Sequence, residues 1–154
     1  MCEHCGCEGF GPLRELHEDH LAILGASTRL TDAVSSGNPD AVRKAVAALV
    51  AMLEPHERNE ELGLYREMAR GAPEYVANLL GEHEEVGRLI ESSPRTGEGM
   101  AALLDAVRRL QLHIFIEEQD LFPYAIQMFT GVQWDLIEDV HAGRLERRDS
   151  AGSG

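Results

Sequence analysis

Two segments of the chain carry the same arrangement of metal-binding side chains. Each has a histidine, two glutamates that begin four residues later, and then a leucine and an aromatic residue. The first copy is residues 56–65 (HERNEELGLY) and the second is residues 113–122 (HIFIEEQDLF). Residues i and i+4 of an α-helix lie on one face, about a turn apart, so the histidine and glutamate of each copy can reach one site. Nitrogen and carboxylate ligands suit iron or manganese and do not exclude zinc.

Two further histidines stand at heights that match the two copies. His20 and His56 each lie seventeen residues from the bend formed by residues 37–39. At a rise of about 1.5 Å per residue, both are roughly 25 Å from that bend. His83 and His113 lie at similar distances from the next connection. The spacing therefore predicts that four histidines meet at one level of a helical bundle.

The surroundings of the second copy favour a buried site over a surface ion pair. A single His-x-x-x-Glu on a helix is usually a solvated ion pair, but here the pattern is duplicated, and apolar residues surround His113 on both sides. A buried histidine beside a buried glutamate needs a compensating partner. Four neutral imidazoles and two carboxylates suit a pair of divalent or trivalent transition-metal ions.

The elements that must position these residues are helices. Apolar residues recur with helical periodicity, Gly and Pro separate the segments, and no alternating β pattern is present. The fold class predicted is all-α, an antiparallel up-down-up-down four-helix bundle with a short additional C-terminal helix. The first three predicted helices are Leu13 to about Ser35, Pro39 to near Gly71 with a kink at Pro55, and Pro73 to about Ser92. The fourth begins after Gly97-Glu98-Gly99 and runs to Phe122-Pro123, and the fifth runs from Val132 to about Arg147 after a Thr130 cap. The predicted domain organisation is a Cys-rich segment at 1–12, the bundle at 13–147 and a disordered tail at 148–154.

Composition excludes several function classes. The formal net charge is −13, which argues against binding to a phosphate backbone, so we expect no nucleic-acid partner. No run of eighteen apolar residues is present, and the first residues lack the basic flank and apolar stretch of a signal peptide. We therefore expect a cytoplasmic protein without a membrane partner. The sequence does not indicate an oligomeric state.

From Leu13 to Met128 the sequence resembles the hemerythrin-like HHE cation-binding family. The repeated His-x-x-x-Glu-Glu followed by Leu-Phe-Pro is the family's most specific motif. The second copy has this Leu-Phe-Pro at 121–123, whereas the first has Leu-Tyr-Arg at 64–66. The resemblance implies a non-haem centre of two iron ions, bridged by carboxylates and by an oxo or hydroxo group. Carried over by position, the implied ligands are His20 and His56 on one iron, His83 and His113 on the other, and Glu60 and Glu117 as bridges.

The resemblance leaves two questions about the ligands open. Oxygen-carrying relatives place the second carboxylate five residues after its histidine, which makes Glu118, and Glu61 in the first copy, alternatives to the implied bridges. These relatives also have another histidine one turn beyond the third-helix ligand, where this chain has Gly87. One iron is then short of a protein ligand unless His17 or His141 supplies it. The alternative explanation of Gly87 is that a neighbouring helix packs closely against it.

The N-terminal segment contains a separate cluster of possible ligands. All three cysteines lie within the first seven residues, which excludes an internal disulfide framework. Closely spaced thiolates bind soft metals or exchange disulfides, and a zinc site would need a fourth ligand. The candidates for a second site are Cys2, Cys5, Cys7 and His4. Passive packing onto the bundle end is the alternative.

The leading functional hypothesis is a di-iron protein that binds or reacts with a small molecule such as oxygen, peroxide or nitric oxide, in redox or stress handling. An open coordination position at iron is what such chemistry requires. The alternatives are an iron donor for iron–sulfur repair or nitric-oxide stress, a sensor whose metal state alters a partner contact, and a structural zinc bundle. Whether the protein is an enzyme is left open by the sequence.

Overall fold

A computed structural model describes residues 11–92 and 97–144, which are helical and contain no strand. Two π-helical turns interrupt the longer helices and are called the first and second π-turn below. The α-helices are α1 (Gly11–Ser36), α2 (Pro39–Asn59), α3 (Tyr65–Met68), α4 (Pro73–Ser92), α5 (Glu98–Ile116), α6 (Phe122–Met128) and α7 (Gly131–His141), and the π-turns are Glu60–Leu64 and Glu117–Leu121. Helix α1 packs on α2 and α5, and α4 packs on α5 and α2. No helix within the described ranges is long and apolar enough to cross a membrane.

Local sequence signals account for the turn between α1 and α2. The Asn38 side chain accepts hydrogen bonds from the backbone N–H groups of Asp40 and Ala41, and Pro39 occupies the first helical position. Proline suits that position because its missing N–H would have no partner there. Gly37 has a φ of 70°, a conformation that side chains with a Cβ rarely adopt. The predicted cap and turn are confirmed.

The departures from α-helical bonding in the two longest helical stretches begin at the glutamate pairs. Helix α2 continues through Pro55, where a kink was predicted, and the departure from α-helical bonding begins at Glu60. The predicted end at Phe122-Pro123 was wrong, since the chain stays helical to Met128. The Phe122 N–H already bonds to the carbonyl of Glu117, five residues back. The proline therefore lies where the i to i−4 pattern is already interrupted, and its missing N–H does not end the helix.

Helix α7 begins as predicted but is shorter than predicted. Thr130 and Gln133 form a reciprocal capping box at its start. The helix ends at His141, and Gly143 has a φ of 71°, so the predicted helix does not continue unbroken past His141. Residues 145–147 of the predicted extension lie outside the described residues. A left-handed glycine just past the last helical residue is a common stop signal. The predicted tail at 148–154 lies outside the described residues.

The core consists of two apolar clusters with a polar layer between them. One cluster is centred on residues such as Ile23, Leu49 and Leu103, near the α1–α2 turn. The other contains Leu16, Phe122 and residues of α7. Along the four long helical stretches, His20, His56, Glu60, His83 and Glu117 fall between positions that belong to the two clusters, and His113 lies next to Ile114 at the edge of the first. The fold therefore holds a layer of polar side chains in an apolar interior.

Candidate metal centre

The six residues predicted as metal ligands all lie in this polar layer. None has more than 6% of its surface exposed, and the two glutamates have none exposed. Charged residues are rarely buried to this extent unless they are paired or bind a metal. The six are His20, His56, Glu60, His83, His113 and Glu117.

Their donor atoms form two groups. Within each group, the nitrogen and oxygen atoms lie within 4.8 Å of one another. Glu117 belongs to both groups, so the two positions are adjacent. The first group is His20, His56, Glu60 and Glu117, and the second is His83, His113 and Glu117.

Each buried glutamate approaches one histidine from each group. It lies nearest to the histidine four residues before it on the same helix and farther from a histidine on another helix. A carboxylate in this position can bridge two cations. The distances are 2.9 Å for Glu60 Oε1 to His56 Nε2, 3.6 Å for Glu60 Oε1 to His83 Nε2, 3.1 Å for Glu117 Oε1 to His113 Nε2, and 3.5 Å for Glu117 Oε1 to His20 Nε2.

Several buried atoms of these residues have no hydrogen-bond partner. They are both carboxylate oxygens of Glu60, Oε1 of Glu117 and Nε2 of His20. The short contact of Glu60 with His56 lacks hydrogen-bond geometry. Each buried unsatisfied polar group costs about 1–3 kcal/mol. The adjoining cavity is about 10 Å³, room for about one water molecule, which cannot satisfy four atoms. The donor set therefore fits bound cations.

The charges of the two buried carboxyl groups are unequal. Burial and the nearby charge of Glu117 raise the pKa of Glu60 well above its usual range. Burial acts to raise the pKa of Glu117 too, but the close approach of Glu60, His113 and His20 outweighs burial and holds that pKa well below its usual range. Glu60 therefore retains a proton more readily than Glu117, and a bound cation could take the place of that proton.

The imidazole of His20 is held as a cation when no metal is bound. Burial alone would lower its pKa, but contacts with Glu117 and Glu118 raise that pKa from 6.5 to about 9. The proton on this ring is another positive charge that a metal ion would replace.

Carboxylates on the outer edges orient three of the four histidines. In each case the ring Nδ1–H donates to a carboxylate, which directs Nε2 into the centre. Histidines that bind metals usually have such a partner on their other nitrogen. The three pairs are His20 with Glu118 at 2.8 Å, His56 with Asp19 at 3.0 Å and His83 with Glu61 at 3.0 Å.

The second glutamate of each copy thus lies outside the two ligand groups. Glu118 contacts the outer edge of His20, and Glu61 contacts the outer edge of His83. Glu61 is also near Glu57, and with His83 these two could hold a cation at the rim of the site. The sequence did not indicate that the first glutamate of each adjacent pair would join the ligand groups while the second would contact the outer edge of a histidine.

The other residues considered from the sequence lie away from the ligand groups. His17 Nδ1 donates to Glu118 at 2.8 Å, and His141 Nδ1 donates to Glu15 at the same distance. Neither belongs to a ligand group among the described residues. A Cβ at Gly87 would meet no atom within 4 Å. Close helix packing, offered as one reason for this glycine, is therefore wrong.

Tyr65 is a residue of the centre that the sequence analysis missed. Its hydroxyl donates to Glu117 Oε2 at 2.8 Å and lies 3.1 Å from Nε2 of both His83 and His113. The side chain is 1% exposed. Burial and the charges of Glu60 and Glu117 raise the pKa of the hydroxyl, so without a metal it stays protonated. The sequence feature that could have identified Tyr65 is Leu-Tyr-Arg at 64–66 of the first copy, where the second copy has Leu-Phe-Pro.

The candidate second site at the N-terminus cannot be placed. Cys2, His4, Cys5 and Cys7 lie outside the described residues. That site stays a prediction from sequence.

Comparison with known proteins gives one match. A family model described as Hemerythrin HHE cation binding domain matches residues 11–125, which is more than half of the chain. The matched region contains all six buried histidines and glutamates of the polar layer. No curated protein and no solved structure matches the chain.

Proposed function

The chain belongs to the hemerythrin HHE cation-binding family, and we propose that it holds two iron ions in the polar layer and reacts there with a small oxidant: oxygen, peroxide or nitric oxide. The observation that carries this proposal is the set of buried donor atoms without partners, which belong to residues that form two adjacent groups. A cation at each group would satisfy them.

The proposed ligand assignment follows the two groups. His20 and His56 bind the first iron, and His83 and His113 bind the second. Glu60 and Glu117 bridge the two ions, because each carboxylate approaches a histidine of both groups. The helices would carry these ligands in an antiparallel up-down-up-down four-helix bundle.

The protein around the ions would supply orientation and exclude water. Asp19, Glu61 and Glu118 fix three imidazoles with Nε2 inward, so these ligands need no reorganisation when metal binds. Apolar clusters above and below the polar layer keep bulk water out. Bound iron would supply electrons and coordination positions for the oxidant. The cavity of about 10 Å³ favours a reactant of very few atoms.

The test is a rapid-mixing experiment on iron-loaded protein. The protein is reduced without oxygen, mixed with each oxidant and followed by the near-ultraviolet absorption of oxo-bridged ferric pairs. We expect at least one oxidant to restore this absorption within seconds in the wild type and in the control His141→Ala, whose imidazole contacts Glu15 outside the site. His113→Ala should lose the response.

One result would replace the oxidant reaction with the iron-donor alternative. In that case the reduced protein reacts with none of the three oxidants and instead transfers its iron to a chelator at the same rate with or without them.

A further inference from the structure

The two halves of the centre have aromatic residues at equivalent positions, and these residues differ by one oxygen atom. In each copy of the sequence pattern, the aromatic residue that follows the π-turn stacks on a histidine of another helix. Tyr65 stacks on His83 with ring centroids 5.2 Å apart, and Phe122 stacks on His20 with centroids 5.6 Å apart. The two aromatic residues occupy equivalent positions, and only the tyrosine has a hydroxyl.

That hydroxyl lies among the donor atoms of the second group. Its three close contacts are Nε2 of His83, Nε2 of His113 and Oε2 of Glu117. These are the same three residues that form the second candidate metal position. A cation held there by the three residues would lie within reach of the tyrosine oxygen.

The tyrosine also compensates for a missing side chain. One turn beyond His83, Gly87 offers no group to the second position, and a side chain there would have free space around its Cβ. Tyr65 approaches the same histidine from a different helical stretch. Tyrosine oxygen is an established ligand of iron in other proteins.

We propose that the Tyr65 oxygen is a ligand of the second metal ion, so that the two positions are unequal. The inference rests on the proposed di-iron function. On binding, the O–H bond breaks, an oxygen–iron bond forms and the proton leaves to solvent, with no change in the oxidation state of the metal. The positive charge of the ion stabilises the phenolate, although in the metal-free protein the hydroxyl is neutral.

The consequence is that the small molecule binds at the first position. The second ion would have two histidines, two bridging glutamates and Tyr65, whereas the first would have two histidines and the same two bridges. The ring next to His20 is Phe122, which has no ligand atom. The more open ion is therefore the one bound by His20 and His56, not the one near Gly87.

The experiment compares ferric-loaded variants that differ only in tyrosine hydroxyls. The chain has three tyrosines, so the double variant Tyr75→Phe/Tyr124→Phe keeps Tyr65 as the only one. Iron content, visible absorption and resonance Raman spectra are measured for the wild type, this control and Tyr65→Phe. We expect a phenolate-to-iron charge-transfer band with tyrosinate vibrations in the wild type and the control. Tyr65→Phe should bind iron but lose both signals.

The possible failures are separable. Iron-loaded wild type without tyrosinate vibrations, or a band that persists in Tyr65→Phe, overturns the assignment of Tyr65 and leaves the di-iron function standing. Wild type that binds no iron overturns the proposed function itself. If Tyr65→Phe does not fold, the tyrosinate vibrations of the wild type and of the double variant still decide whether Tyr65 binds iron.

Discussion

Replacing Glu60 by glutamine should stabilise the metal-free protein. Glu60 is fully buried, and neither of its oxygens has a hydrogen-bond partner. It also lies beside Glu117, whose charge, together with burial, raises the pKa of Glu60. Glutamine has nearly the same shape, carries no charge and can donate a hydrogen bond to Glu117. The wild-type carboxyl group therefore lowers the free energy of unfolding until a cation binds. Such a conflict between stability and function is common at functional sites.

The expected size follows from the unsatisfied oxygens. A buried polar group without a partner costs about 1–3 kcal/mol, so Glu60→Gln should raise the free energy of unfolding by roughly that amount near pH 8. For a chain of this length, each 1 kcal/mol corresponds to roughly 2–4 °C in melting temperature. Because the pKa of Glu60 is raised in the folded state, folded Glu60 keeps a proton that the unfolded chain loses as pH rises above 4.5. Wild-type stability then falls with pH, and the advantage of glutamine grows.

The assay is thermal unfolding of metal-free protein at pH 5 and pH 8. Glu60→Gln should melt higher than the wild type at pH 8, with a smaller difference at pH 5. Glu54→Gln changes an exposed glutamate of α2, six residues before Glu60; it is the matched control and should change little at either pH. The reasoning is refuted if Glu60→Gln melts below the wild type at pH 8, or if its advantage is the same at both pH values.

Three further predictions concern iron content measured by metal analysis. His56→Ala and His113→Ala should each lower it strongly, because each removes a ligand from a helix that also carries a bridging glutamate; full occupancy in either would contradict the ligand assignment. Glu117→Gln should lower it more than Glu118→Gln, since an amide is a poor bridge; the opposite order would make Glu118 the bridge. Removal of residues 1–7 should leave helicity by circular dichroism and iron content intact, and loss of either would show that the N-terminal cysteines belong to the main site.

Helical periodicity made the inner residues of the centre predictable. The fixed rise per residue sets the height of a side chain, so matched distances from a bend predict that His20 lies level with His56. Likewise, the i, i+4 spacing placed Glu117 on the same face as His113. The turn residues around Asn38 marked a helix boundary for the same reason, since caps act over three or four residues.

The features that could not be predicted depend on contacts between distant parts of the chain. Asp19 reaches His56 across 37 positions, and Glu118 reaches His20 across 98. No local pattern encodes such pairs. Helix continuation through Pro123 was missed because the π-turn before it is a backbone feature without a recognised sequence signal. The hydroxyl of Tyr65 was visible as a departure from the repeat, but its direction depends on how the helices pack.

The most direct test of a two-iron centre is metal analysis of the purified wild-type chain together with its absorption spectrum. We predict two iron ions per chain and near-ultraviolet absorption typical of an oxo-bridged ferric pair, both lost when Glu117 is replaced by alanine. A wild-type protein that binds a single ion, or that contains zinc and shows no such absorption after iron loading, would contradict the claim.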